Sequence, residues 1–182
     1  MSIQSERPMV PLSIVHYPTP VLLKKAKPVT NINGLLQNRI DKMIETLYAS
    51  AGLGLAAPQV GDPHRLFVYD LSMKEEKKPG GHPSVIINPE IIAMEGEETT
   101  EEGCLSLPGY FEMVARAQSV QMKGVNRNGK EVCIEAHGLL ARLIQHEVDH
   151  LNGVLMFDRL GPLKRNILLR KLKKKIKQEG EL

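Results

Sequence analysis

The sequence of 182 residues has no tryptophan, two cysteines and no long apolar run. Two cysteines allow one disulfide at most, which excludes the disulfide framework of a small secreted domain. No stretch approaches the roughly 18 apolar residues that suggest a membrane span, and the first fifteen residues lack the apolar block of a secretory signal. The composition, 42% hydrophobic and 25% charged, is ordinary for a globular chain that builds its core without disulfides. We therefore predict a cytoplasmic protein with free thiols and no membrane partner.

The charge is unevenly distributed along the chain. From Arg159 onward there are nine Lys/Arg and two acidic residues, which leaves 15 basic and 19 acidic residues before that point. This asymmetry indicates a polyanionic partner for the tail alone. Residues 163–177 follow a helical period, with apolar side chains at 163, 167, 168, 172 and 176 on one side. The lysines of residues 171–177 then form a face that either binds phosphate groups or is simply solvated.

Periodicity predicts an α+β fold of mostly antiparallel strands packed around a helix that contains residues 139–150. A second helix is expected over residues 33–50, with Asn33 as its N-cap, and a third at the C-terminus. Predicted strands are 65–71, a segment over 84–94 that breaks at Pro89, and a hairpin over 118–136. We expect one domain, with a catalytic body over 1–160 and the basic tail over 161–182 belonging to it.

The stretch Gln145-His146-Glu147-Val148-Asp149-His150 contains the arrangement H-E-x-x-H. On a helix, two histidines four residues apart lie on one face, where both can bind one metal ion. Glu147 is rotated by about 100° from His146, so it is better placed to reach a water on the metal than the metal itself. The alternative is a surface helix with two solvated histidines. A metal site also needs a third ligand.

Cys104 is the candidate for that third ligand. It lies in a turn between Gly103 and the Pro108-Gly109 pair, where a thiolate can face a cation that removes its proton. The alternative is a small buried apolar side chain, as most lone cysteines are. Cys133 fits this alternative, because it lies within a predicted strand.

A glycine-rich run, residues 52–61, contains the pattern G-x-G-x-x-A. Dinucleotide binding is excluded by the context: a helix rather than a strand precedes the glycines, and the prolines that follow leave no room for a phosphate-binding helix. The glycines instead allow close approach of the backbone to a ligand or another strand. Gln59 is the one polar side chain among small and apolar residues, and is either a hydrogen-bond donor to a ligand or a buried glutamine satisfied by nearby backbone.

Three separated blocks together resemble one family, the bacterial-type peptide deformylases. Gly52-Leu53-Gly54-Leu55-Ala56-Ala57-Pro58-Gln59 is similar to its signature G-x-G-x-A-A-x-Q, Glu102-Gly103-Cys104-Leu105-Ser106 to E-G-C-L-S, and residues 145–150 to Q-H-E-x-D-H. The blocks occur in the family's order with no departure at a signature position. The resemblance covers about residues 12–160, and no motif covers the tail beyond Arg159.

The resemblance implies a hydrolase that removes the formyl group from the N-terminal formyl-methionine of nascent polypeptides. Cys104, His146 and His150 would hold one divalent metal ion, with water in the fourth position. The resemblance favours iron(II) as the native metal, and zinc, nickel or cobalt could replace it in purified protein. Glu147 would take the proton of the attacking water and pass it to the leaving amine, which releases formate.

The remaining site residues surround this centre. The resemblance implies that the Gln59 side chain and the backbone N–H of Leu105 stabilise the oxyanion. Asp149 would lie outside the ligand set, with Arg116 as its partner. Leu139 and Leu143 share the helical stripe of the histidines and, with Leu53, would wall a methionine pocket unless they are ordinary core residues. The peptide main chain would pair with the segment Gly52–Gly54 as an added strand, and the full set expected to bind substrate is Gly52, Leu53, Gly54, Glu102, Gly103, Leu139 and Leu143.

Expected partners are formyl-methionyl nascent peptides and, through residues 163–177, the ribosome, with no DNA partner. Two other classes of protein share the H-E-x-x-H arrangement: a zinc peptidase that cuts internal peptide bonds, and a non-catalytic ribosome- or nucleic-acid-binding protein with a structural metal. A comparison of formylated, acetylated and unblocked peptides as substrates distinguishes the zinc peptidase from the deformylase. A non-catalytic protein would tolerate Glu147→Gln, whereas the hydrolase would lose its turnover. Deleting residues 163–182 is predicted to weaken ribosome binding while leaving hydrolysis of a short formyl-peptide largely intact.

Overall fold

The computed structural model describes residues 10–72 and 81–179, and it confirms the α+β class. The described residues form three α-helices, α1 (Gly34–Ala49), α2 (Gly138–Leu151) and α3 (Pro162–Glu179). The strands are β1 (Gly54–Ala56), β2 (Leu66–Tyr69), β3 (Ser84–Glu95), β4 (Glu98–Gly103), β5 (Phe111–Arg116), β6 (Ser119–Val125) and β7 (Glu131–His137). Within the described ranges, no helix combines the length and apolarity needed to cross a membrane.

Five strands form one antiparallel sheet in the order β1-β2-β3-β6-β7, and β4 pairs with β5 in a separate two-stranded sheet. The inner face of α2 packs on the larger sheet in one hydrophobic cluster, to which Phe67, Met122 and Ile144 contribute. The strands are therefore wrapped around the histidine helix, as the sequence predicts. The strand β1 lies at an edge of the sheet, next to α2.

Two locally determined elements match their predictions. Asn33 caps α1, since its side-chain oxygen accepts a hydrogen bond of 3.0 Å from the N–H of Leu36. The hairpin β6–β7 turns through residues 126–129, where Gly129 has a positive φ of 79°. Both predictions are confirmed, because capping and turn chemistry act between residues that are close in sequence.

The predicted break at Pro89 is wrong in one respect. Strand β3 continues through this residue, and its pairing with β6 shifts register between Ile87 and Glu90. Asn88 has a φ of 52°, and its side chain forms two hydrogen bonds with the backbone of Val29, at 2.9 and 2.8 Å. A β-bulge thus absorbs the missing N–H of proline without ending the strand.

The sheet β4–β5 was not predicted, since no strand was expected between residues 94 and 118. In β5 the inward side chains are Val114 and Arg116, whereas Phe111 and Met113 point outward and are exposed. The usual alternation of apolar residues inside and polar residues outside is therefore absent here. Strand β4 ends at Gly103, so this small sheet positions Cys104 directly after it.

Helix α3 packs on the body of the protein through only part of its apolar side. Leu168 and Leu172 are buried in a cluster that includes Leu107 and Phe157 and lies against Cys104. Leu163 and Ile167, predicted to share that side, are exposed. The sequence of residues 73–83 is rich in lysine, glutamate, proline and glycine and predicts an exposed loop, but most of this stretch lies outside the described residues.

Candidate metal centre and active site

Helix α2 is held firmly enough to position its histidines. Gln145 exchanges two hydrogen bonds with the backbone of Ala117, at 2.9 and 3.0 Å, which tie the helix to the connection between β5 and β6. At its C-terminal end, Arg65 donates to the carbonyl of Leu151 and to the side chain of Asn152. The glutamine of the third signature thus has a structural contact that its position in the sequence did not reveal.

Cys104, His146 and His150 are brought together from β4 and α2. The sulfur of Cys104 is 3.3 Å from Nε2 of His150, which is 3.3 Å from Nε2 of His146, and the three ligand atoms lie within 4.8 Å of one another. A tetrahedral ion with the usual bond lengths would separate two such nitrogens by about 3.3 Å, and nitrogen from sulfur by about 3.6 Å. The residues fit a single divalent metal ion.

Glu102 orients one of these ligands. Its Oε2 lies 3.2 Å from Nδ1 of His146, which leaves Nε2 of the same ring free for a metal. Arg116 donates to both carboxylate oxygens, at 2.9 and 3.1 Å. Burial opposes ionisation, but the hydrogen bonds from His146 and Arg116 outweigh it and lower the pKa of Glu102 to about 2. Both oxygens are engaged by protein groups, and substrate binding by this side chain stays a prediction.

The same arginine connects the centre to a second carboxylate. Arg116 donates to Oδ2 of Asp149 at 2.6 Å, which confirms the predicted partnership. Asp149 is also bound by both ends of the Arg159 guanidinium, with 2.9 Å between Nε and Oδ2. The contact of Arg159 with Asp149 was not predicted, because the sequence pattern identifies Arg159 only as the first residue of the basic tail. His146 is therefore connected through Glu102, Arg116 and Asp149 to Arg159.

Replacing Arg116 by glutamine is expected to lower the free energy of unfolding by about 3–5 kcal/mol, because Glu102 and Asp149 lose a shared cation inside the protein. Urea denaturation measures the change. Arg127→Gln is the matched control, since Arg127 pairs with Asp41 at a site where both side chains are 36% exposed, and it should cost at most about 1 kcal/mol. Equal losses in the two variants would show that the buried ion pairs contribute little to stability.

Glu147 lies beside the ligands with one oxygen available. It is 3% exposed, and its Oε2 has no hydrogen-bond partner within the described structure. Burial raises the pKa of Glu147 to about 7. A buried carboxyl with a raised pKa and a free oxygen can exchange protons near neutral pH.

The side-chain oxygen of Gln59 is satisfied by nearby backbone, as one of its two interpretations predicts, and donation to a ligand stays a prediction. Its Oε1 accepts a hydrogen bond from the N–H of Ala56 at 2.8 Å, so the oxygen is held by neighbouring backbone. The Nε2 group consequently faces the metal ligands, 3.9 Å from the sulfur of Cys104 and 3.4 Å from Oγ of Ser106. The orientation leaves an N–H donor directed toward the centre.

A groove of about 540 Å³ opens onto this centre. All of the residues predicted to bind substrate line it, namely Gly52, Leu53, Gly54, Glu102, Gly103, Leu139 and Leu143. Leu105, Gln59 and Glu147 also line it. Six further lining residues were not predicted from the sequence: Ala51, Glu101, Pro108, Gly109, Phe111 and Arg142. The helical stripe through Leu139 and His146 could have revealed Arg142, whereas nothing in the sequence pattern distinguished Phe111.

Replacing Gly54 by alanine is expected to lower kcat about 10- to 100-fold, because even a small displacement of a reacting group is costly. A Cβ at this position would lie 2.5 Å from Oε1 of Glu147 and would push its carboxylate aside. Steady-state assays on a formyl-peptide measure the change. Gly34→Ala is the control, since nothing lies within 4 Å of a Cβ there. A Gly54→Ala enzyme with normal kcat would show that the position of the carboxylate is not critical.

Comparison with known proteins agrees with the geometry. The family model described as Polypeptide deformylase matches residues 11–166. A peptide deformylase from Thermodesulfovibrio yellowstonii is 53% identical over 167 residues, which cover 92% of this chain and 99% of the relative. Two solved structures are similar: a peptide deformylase from Legionella pneumophila (TM-score 0.84, 42% identity, 95% of this chain and 99% of that one) and one from Ehrlichia chaffeensis in complex with actinonin (0.83, 40%, 92% and 98%).

Proposed function

The chain belongs to the polypeptide deformylase family, and we propose that it removes the formyl group from the N-terminal formyl-methionine of nascent polypeptides and releases formate. The observation that carries this proposal is the meeting of three ligand atoms with Glu147 at the groove. A metal-dependent hydrolase requires a carboxylate that can transfer protons beside a metal site open to substrate, and both are present here. Such a reaction belongs where formylated chains are made, so we place the protein in the cytoplasm.

Cys104, His146 and His150 would hold the metal. When bound, the ion would act as a Lewis acid that lowers the pKa of a water and polarises the formyl group. One thiolate and two imidazoles accept iron(II), zinc, nickel or cobalt. We propose iron(II) as the native ion, by the resemblance of the three signatures. Metal analysis of protein purified without oxygen tests this choice, and zinc as the dominant ion in such material would contradict it.

Glu147 acts as the proton carrier of the reaction. Its free oxygen accepts a proton from the attacking water, and the raised pKa allows it to return that proton to the amine that leaves. Because the carboxylate is enclosed by α2 and β1, the proton is held near the reacting atoms rather than lost to solvent. The same residue thus serves as base and then as acid.

Two donors face the oxygen on which negative charge develops. Nε2 of Gln59 is directed toward Cys104 by the bond that fixes its oxygen. The backbone N–H of Leu105 follows the ligand cysteine, and among the described residues it donates to no other group. Losing one such donor typically costs about 3 kcal/mol of barrier.

The groove binds the substrate beside the centre. Leu143 and Leu139 stand about one and two helical turns before His146, and with Leu53 they offer apolar surface to a methionine side chain. Strand β1 pairs with β2 on one side only, so its free edge can accept the main chain of an extended peptide. This arrangement recognises the main chain and the first side chain together.

A formate-release assay tests the proposed reaction. We expect formyl-Met-Ala-Ser to yield formate in equal amount to the free amine, while acetyl-Met-Ala-Ser and unblocked Met-Ala-Ser yield nothing. Cleavage of internal bonds in all three peptides would instead support the zinc peptidase, which the family match does not favour. The panel requires only the metal-loaded enzyme.

We also propose that α3 contacts the ribosome through its lysines. Deleting residues 163–182 is a poor test, because it would remove Leu168 and Leu172 from the core beside Leu107. Replacing the exposed Lys171, Lys173 and Lys174 by glutamine removes charge alone. We expect weaker co-sedimentation of the triple variant with ribosomes and unchanged hydrolysis of short peptides. The slope of log K for ribosome binding against log salt concentration should fall in magnitude by roughly 0.7–0.9 per lost phosphate contact. Equal ribosome binding by wild type and triple variant would contradict the proposal.

A further inference from the structure

We infer that Arg142 gives the groove a preference for substrates that carry a carboxylate group within the residues following methionine. This inference rests on the proposed function and names the class of peptide that the same site would favour. Arg142 lines the groove from α2, on the face that also presents Leu139 and His146.

The guanidinium of Arg142 has no anionic partner among the residues that the structure describes. Its Nε is buried without a hydrogen-bond acceptor, and no ion pair among the described residues includes it. The other arginines that contact α2 are engaged, because Arg116 and Arg159 bind Asp149, and Arg65 binds the helix end. An unpaired guanidinium with an enclosed Nε is costly to maintain. A carboxylate in the groove would pair with the terminal nitrogens, to which no described residue is bound.

The charges around the groove favour an anion at this position. Arg142 is the one lysine or arginine that lines the described groove. Of the carboxylates there, Glu102 is paired with Arg116 and His146, and Glu147 is buried against Gly54. Glu101 is exposed on β4 and lies beyond ion-pair distance of Arg142. A cation is therefore left free at the wall, where a peptide must pass.

The position of Arg142 matches the residues that follow methionine. Arg142 precedes His146 by four residues, so the two lie on the same helix face, about one turn or 5.4 Å apart along the axis. An extended peptide advances about 3.3–3.6 Å per residue, which brings the second and third residues of a formyl-methionyl chain alongside the reach of a long side chain. An arginine fork binds a carboxylate in a bidentate manner, which gives direction as well as charge.

The carboxylate could come from a side chain or from the end of a short peptide. Four substrates distinguish these sources: formyl-Met-Ala-Ser amide, formyl-Met-Glu-Ser amide, formyl-Met-Ala-Glu amide and formyl-Met-Ala with a free C-terminal carboxylate. We expect at least one acidic substrate to exceed the neutral amide about three- to tenfold in kcat/KM, through a lower KM, as a partly exposed charge pair would give. The advantage should shrink in 0.5 M salt.

Arg142→Gln should abolish the advantage, so that acidic and neutral substrates become equal in kcat/KM, and Arg142→Lys should retain part of it. Arg170→Gln is the matched control, because it removes the same charge from an exposed position on α3 outside the groove. An equal preference in the wild type and Arg142→Gln would overturn the inference.

The wild type alone also decides the matter, should a variant fold poorly. Hydrolysis of all four substrates at equal efficiency overturns the role of Arg142 and leaves deformylation intact. Failure to release formate from any of them contradicts the proposed function itself.

Discussion

Replacing Glu147 by glutamine should lower kcat for formyl-Met-Ala-Ser by about 10²–10⁴-fold, the range typical of a lost general acid–base. The amide keeps the shape of the side chain but cannot exchange the proton. The residue is buried beside the metal ligands and its free oxygen has no substitute, since Glu102 is already engaged by Arg116 and His146. KM should change little, because the groove walls are unaltered.

Metal content must be measured in the same preparations, because the effect on turnover is informative only with the metal retained. Cys104, His146 and His150 are unchanged in this variant, so one ion per chain is expected. Glu135→Gln, at an exposed glutamate on β7, is the control and should be fully active. A Glu147→Gln protein with nearly normal turnover would favour a site in which the metal is structural.

Replacing Cys104 by serine should abolish formate release and reduce the bound metal to trace levels. The two imidazoles remain, but the thiolate that completes the set of three ligand atoms is lost. A ligand that binds only the folded chain stabilises it by about 2.7 kcal/mol at a hundredfold excess over its dissociation constant. The variant should therefore unfold at a temperature that added metal no longer raises.

Cys133→Ser separates loss of a ligand from loss of a thiol. Cys133 lies in a strand, β7, as predicted, but the prediction that it is buried is wrong, because its side chain is on the exposed face. Its replacement should leave metal content, melting temperature and turnover unchanged. Treating the wild type with a chelator should reproduce the inactivity of Cys104→Ser, and adding iron(II), nickel or zinc should then restore only the wild type. Full metal binding by Cys104→Ser would show that the cysteine is not a ligand.

The sequence alone predicted the family, the fold class and the local elements of this protein. The cap of α1, the hairpin β6–β7 and the pairing of His146 with His150 on one helix face depend on residues close in sequence. Their geometry follows from the helical period and from turn chemistry, both of which are visible in the order of residues. The family match confirms the resemblance that three signatures predicted.

Local pattern failed where the contacts join distant parts of the chain. Strand β5 buries an arginine and exposes a phenylalanine, so its alternation gives no apolar face to detect. Strand β3 continues through Pro89, because a β-bulge accommodates the proline and Val29 stabilises this bulge by hydrogen bonds with Asn88. In both cases, neighbours supplied by the rest of the fold outweighed the intrinsic preference of the segment.

The helix Gln145–His150 could be recognised from sequence as a pair of ligands with a proton carrier beside them. Only the tertiary structure brought Cys104 within 3.3 Å of His150, placed the carboxylate of Glu147 against Gly54, and linked Glu102 through Arg116 and Asp149 to Arg159. These contacts depend on how the two sheets close around α2, which no periodicity encodes. Spacing along a helix is set by the backbone, whereas the distances between elements are set by packing in three dimensions.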